Sequence, residues 1–254
     1  MTTATSAATT TVTGMDLIGP TVPDLKRSLA FYRDKLGLVP TVESNDGVEF
    51  HLPDGTTFGL WQPPADSGFT HQFTIMFTVA DAKAASERFR DLGATLSEPM
   101  ESPVCHMAAG TDPEGNSIIL HQRKTVDAHR PPSLERTSTS INGIDLAGFL
   151  VADPQGEAAF YREVLGLIPS DVDEQGRGTE FALGDGSAFG VWRVPEGTQC
   201  GFVMFSVEDA RAKVDELRGR GVEIMDVIET PVCFMSYTMD PDGNGVIVHQ
   251  RKRF

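Results

Sequence analysis

Two histidines occupy the same place in two near-copies of one stretch. His121 stands near the end of PVCHMAAGTDPEGNSIILHQRK (Pro103–Lys124), and His249 near the end of PVCFMSYTMDPDGNGVIVHQRK (Pro231–Lys252). Imidazole titrates close to neutrality, so a histidine facing a ligand can take or return a proton or orient a carbonyl. Glu49 and Glu180 each precede a phenylalanine on a strand-like run and are the second candidates for proton transfer, provided that the carboxylate faces the ligand. Both pairs also have a bland reading. The histidines can be half-solvated strand ends with Gln-Arg-Lys trailing into water, and each glutamate can be a solvated neighbour of a buried Phe. Trp61 and Trp192, at matching strand ends, can be stacking walls for a flat ligand or plain core. Cys105 and Cys233 recur in Pro-Val-Cys without an evident positive partner, which favours small buried hydrophobes over reactive thiolates. His51 and His71 have no histidine counterparts, since Ala182 and Gln199 stand there instead. The sequence shows no phosphate-binding glycine loop, Cys-x-x-Cys pattern or Gly-x-Ser-x-Gly elbow.

The elements that must position these residues also come in duplicate. FYRDKLGLVP (Phe31–Pro40) returns as FYREVLGLIP (Phe160–Pro169), EFHLPDGTTFGLW (Glu49–Trp61) as EFALGDGSAFGVW (Glu180–Trp192), and FTVADA as FSVEDA, in the same order and about 130 residues apart. Such spacing marks a tandem duplication, with domains over residues 14–124 and 142–254, a polar Pro-Pro-containing linker over 125–141 and a disordered Thr/Ala tail over 1–13. Each half repeats a fainter plan of strand end, Asp, helix and Leu-Gly. Asp24, Asp81, Asp153 and Asp209 are the expected N-caps, with Pro154 tolerated in a first turn. Gly37 and Gly93 stand where a left-handed helix stop is needed. Strand pairs flank the PDG and DPEGN turns. The module is βαβββ, four times over, in an α+β chain.

The chain has 254 residues and a net charge of -15, which disfavours a nucleic-acid partner. No apolar run approaches the ~20 residues of a membrane helix, the N-terminus lacks signal-peptide features, and three cysteines make no disulfide framework. These features predict a soluble cytoplasmic protein without a membrane partner.

In VPDLKRSLAFYRDKLGL, FTVADA…LG and DPEGN, with their second-half counterparts, the sequence resembles the vicinal oxygen chelate superfamily, which includes glyoxalase I, bleomycin-resistance proteins and extradiol dioxygenases. The resemblance implies glyoxalase-like domains whose paired modules curl eight strands into two open cups. It also implies three metal-ligand positions per cup, here Leu17, Thr74 and Ile119 in the first half and Leu146, Phe202 and Ile247 in the second. Five of the six are hydrocarbon, so no metal and no other cofactor is expected. Asp16 and Asp145 stand one residue from the Leu positions, where a one-residue slip would turn them inward. The main functional reading is a metal-free cup that binds a small apolar or aromatic molecule, lined by Leu17, Met76, Ile119, Leu146, Phe202, Met204 and Ile247, for sequestration, resistance or secondary metabolism. The alternative is a lyase, isomerase or dioxygenase using His/Glu acid–base chemistry or a displaced metal site. By the same resemblance the chain is expected to be a pseudo-dimeric monomer or a homodimer.

Overall fold

The computed structural model describes residues 12–67, 72–124, 140–194 and 200–252. Most of the expected tail and linker, and His71, lie outside the described residues. Local chemistry sets the helices as the sequence implies. The carboxylates of Asp24, Asp81, Asp153 and Asp209 each accept backbone N–H groups of the first turn that follows. Gly37 and Gly93 take φ of 87° and 101°, the left-handed stop that a side chain would strain.

The first repeat comprises β1 (Val12–Thr21), α1 (Leu25–Leu29, continuing as a π-helical turn over Ala30–Lys35), β2 (Val42–Glu43), β3 (Gly47–His51), β4 (Thr57–Trp61), β5 (Gln72–Val79), α2 (Ala82–Asp91), β6 (Thr95–Leu96), β7 (Met100–Glu101), β8 (Cys105–Thr111) and β9 (Ser117–Arg123). The second comprises β10 (Ile141–Val151), α3 (Pro154–Glu163), β11 (Pro169–Val172), β12 (Gly178–Ala182), β13 (Ala188–Arg193), β14 (Cys200–Val207), α4 (Ala210–Gly219), β15 (Ile228–Glu229), β16 (Cys233–Met239) and β17 (Gly245–Arg251). This is the α+β class with four βαβββ modules. The first repeat forms one sheet in the order β2-β3-β4-β1-β5-β9-β8-β6, with the short β7 added on β8, and the second forms β11-β12-β13-β10-β14-β17-β16-β15. The two orders match from β2–β11 through β8–β16; by its register β15 is the counterpart of β7, and β6 has none among the described residues. None of the described helices is long and apolar enough to cross a membrane.

The compact units divide the chain differently from the repeats. Of the described residues, one unit holds 12–17, 74–124 and 148–194; the other holds 18–67, 72–73, 140–147 and 200–252. Each is therefore built from half of each repeat. In the first unit Phe77 of β5 meets Phe189 of β13 edge-on at 5.2 Å, and Tyr161 of α3 lies 4.4 Å from the same ring. In the second unit Phe58 of β4 meets Phe205 of β14 at 5.4 Å, with Tyr32 at 4.6 Å from Phe58. All six rings are fully buried. Such clusters add to plain area burial through edge-to-face attraction.

Candidate acid–base sites

Strand alternation aims the first histidine. Along β9, Ile118 and Leu120 are fully buried and define the core face, so Ile119, His121 and Arg123 share the other. Parallel pairing to β5 sets Thr78 beside His121 and Met76 beside Ile119. Antiparallel pairing to β8 sets Met107 beside His121 and Ala109 beside Ile119. Asp16 of β1 completes the group. Its Oδ2 accepts from His121 Nδ1 at 2.5 Å and from Arg123 Nε at 2.6 Å, while Arg123 Nη2 donates to Oδ1. Burial works to raise the Asp16 carboxyl, but hydrogen bonds from His121 and Arg123 and the charges of both bring it down to about 2. An ionised Asp16 is an acceptor only, so Nδ1 carries a hydrogen toward it. Among the described residues Asp16 is the hydrogen-bond partner of this ring, and Nε2 is the atom left to exchange a proton.

The second repeat rebuilds the group in the other unit. His249 Nδ1 donates to Asp145 Oδ2 at 2.6 Å, and Arg251 Nη2 lies 3.1 Å from Oδ1. Burial raises the Asp145 carboxyl, but the His249 hydrogen bond and the Arg251 charge outweigh it, so its pKa is lowered. Ser206 and Met235 flank His249, and Met204 and Tyr237 flank Ile247. Two differences separate the sites. Arg251 is 61% exposed against 23% for Arg123, so its grip on the carboxylate is looser. Tyr237 replaces Ala109, and its hydroxyl donates to Met235 Sδ at 2.8 Å.

The bland reading of His-Gln-Arg-Lys as a tail in water is corrected here, because each of its side chains has a partner. Gln122 and Gln250 accept from the first backbone N–H groups of α2 and α4, Ala82 N and Ala210 N, both at 3.0 Å. Lys124 and Lys252 reach Glu101 and Glu229. The sequence reading brought Asp16 and Asp145 inward only through a one-residue slip, and did not name Arg123 and Arg251. The usable signal was period two, which carries the histidine face to the arginine in both copies.

The remaining candidates are distributed as follows. Leu17, half-buried, and the buried Thr74 lie in the first unit with Met76, Ile119 and His121. Leu146, Phe202, Met204 and Ile247 lie with His249 in the second. Glu49, half-buried on β3, pairs with His51, Nε2 to Oε2 at 3.2 Å. Glu180, half-buried, sits on β12 opposite Gly190. The Trp61 indole lies against Gly47 and Gly59, where a Cβ would collide with the ring, and Trp192 lies likewise against Gly178. Cys105 and Cys233 are buried, with hydroxyl partners Ser102 and Thr230 at 3.1 Å. That arrangement fits the structural reading of both.

The three ligand positions that the resemblance implies do not fit a divalent ion. Leu17, Ile119, Leu146, Phe202 and Ile247 lack a lone pair, and Thr74 is a weak neutral donor. Among the described residues no group of three or more His, Cys, Asp or Glu side chains is arranged to hold one. Beside His121 both Asp16 oxygens are engaged by the Arg123 guanidinium, whose charge opposes a cation, and Oδ2 by His121 as well.

No curated protein matches the chain. Solved structures similar to it include a variant of homoprotocatechuate 2,3-dioxygenase from B. fuscum in complex with HPCA (16% identity, TM-score 0.74, covering 97% of this chain and 73% of that one). A Mn(II)-bound glyoxalase from Novosphingobium aromaticivorans (17%, 0.70, 94% and 82%) and the 2,3-dioxygenase LapB from Pseudomonas sp. KL28 (18%, 0.70, 96% and 95%) are also similar. At these identities the likeness is one of fold. The family model for the Glyoxalase/Bleomycin resistance protein/Dioxygenase superfamily matches residues 14–120 and again 143–248. With both repeats matched and the strand order duplicated, the chain belongs to the glyoxalase/bleomycin resistance protein/dioxygenase superfamily.

Proposed function

We propose that this protein is an enzyme of its superfamily that moves protons on a small organic molecule with two Asp–His pairs in place of a divalent metal. The observation that carries the reading is the His121–Asp16 contact, repeated as His249–Asp145. Nε2 removes a proton from a carbon next to a carbonyl. The aspartate holds the ring in the required tautomer and stabilises the imidazolium that forms. The same nitrogen then returns the proton to a neighbouring carbon, which is isomerisation, or to a departing group, which is a lyase reaction. Arg123 keeps Asp16 ionised throughout. The flanking Met76, Met107 and Ile119 exclude water and suit an apolar or aromatic substrate. The net charge of -15 argues against nucleic acid as the partner.

The test is proton exchange in D2O. Planar aromatic ketones incubated with the protein should gain deuterium at the carbon beside the carbonyl, followed by NMR. The double variant His121→Ala, His249→Ala should lose that exchange. A second reading, pure binding, is favoured by Phe202 and Ile247 at ligand positions, both buried side chains with no chemistry to offer. If the ketones quench the fluorescence of Trp61 and Trp192 yet return unlabelled, the enzyme reading fails and binding stands.

A further inference from the structure

We propose that Glu157 of α3 and Asp112 of the β8–β9 turn hold one proton between them, and that its loss loosens the helix from the turn. The two carboxyls are 1% and 4% exposed. Asp112 is fully supplied with donors. Its Oδ1 accepts from Asn116 N at 2.7 Å, and its Oδ2 from Asn116 Nδ2 at 2.7 Å and from the Tyr161 hydroxyl at 2.9 Å. Glu157 is not so supplied. Its Oε1 accepts from Glu114 N at 2.8 Å, while Oε2 is buried without a donor. A buried oxygen left as an unpaired acceptor is costly, and a second buried negative charge beside Asp112 costs more. Placing a proton on Oε2 turns the orphan acceptor into a donor toward Asp112, and one change removes both penalties.

The groups facing Glu157 are Asp112 and Glu114 from the turn, and Tyr161 one turn along its own helix. Burial, then the charge of Asp112, push the Glu157 carboxyl up to about 8; burial raises Asp112 as well. The matching seam in the other unit is built without a shared proton. There Ser28 takes the place of Glu157 and donates to Asp242 at 2.5 Å, Arg27 also binds Asp242, and Tyr32 still donates to Asp240 at 2.8 Å. The clamp is therefore peculiar to one of two otherwise corresponding seams.

Glu157 has a folded pKa raised from 4.5 to about 8, so its contribution is fully present below about 4.5 and is lost as pH rises through about 8. The melting temperature of the whole chain should fall between about pH 4.5 and pH 8 and level off above, and in Glu157→Gln, which keeps the donor but cannot ionise, it should fall by less than half as much. Infrared difference spectra at neutral pH should show a protonated-carboxyl band that vanishes in the wild type on raising the pH past about 8 and is absent from the variant. Parallel melting profiles in the two proteins, or no such band in the wild type at neutral pH, would overturn the proposal.

Discussion

Asp16 decides what His121 can do. Two donors hold the carboxylate ionised, and the carboxylate holds the imidazole with its hydrogen on Nδ1. Replacing it with asparagine removes the charge and offers an amide that can present the wrong group to Nδ1. On the proposed function, Asp16→Asn together with Asp145→Asn should lower the rate of deuterium exchange by about 10²–10⁴ while leaving ketone binding nearly unchanged. A loss in binding that matches the loss in rate would instead mark the aspartates as architecture. The same carboxylate also sets an acid limit. Its pKa is lowered from 3.8 to about 2, so its contribution is present above about 3.8 and is lost as pH falls through about 2. The stabilisation amounts to about 2 kcal/mol. Wild type should therefore lose stability between about pH 4 and pH 2 more steeply than Asp16→Asn, measured by urea unfolding across that range.

At the scale of elements, β9 and β17 each serve two ends at once. Their histidines and arginines hold an aspartate on one face, and the glutamine between them turns to the other side and closes the first turn of a helix. That N–H would otherwise be one of the orphan donors at a helix start. Gln122→Ala should cost about 1 kcal/mol and lower the melting temperature by about 2–4 °C, with the proposed exchange activity retained. Much of this was legible beforehand. The Asp caps, the Gly37 and Gly93 stops and the hairpin turns follow from chemistry within a few residues, and all formed where the pattern put them. The face of β1 was not legible. Asp16 and Leu17 are adjacent, and choosing which turns toward β9 needs the registry of β1 against strands distant in sequence, which alternation alone cannot supply. The end of β9 was misjudged for a related reason. Gln122 and Arg123 look like solvent residues until the partners at Ala82 and Asp16 are known.

At the scale of the molecule, sequence repeat and packing unit part ways. Each repeat supplies one complete sheet, yet the aromatic cores join Phe77 to Phe189 and Phe58 to Phe205, residues from different repeats. The 130-residue period is visible in the chain because duplication copies sequence, but which module packs on which is decided by apolar faces that all four modules share. A consequence can be measured. A fragment ending at Lys124 retains Phe77 and Phe58 but loses the partners that bury them, and truncating a single buried Phe to Ala costs about 3–5 kcal/mol. That is comparable with the whole stability of a small domain. Residues 1–124 alone should therefore lack a cooperative melt as a monomer, or recover one only by pairing with a second copy. Mixed with residues 125–254, they should form a one-to-one complex by size-exclusion chromatography, with near-native Trp61 and Trp192 fluorescence. Either half melting cooperatively as a monomer would show that the repeat, and not the interleaved unit, is what folds.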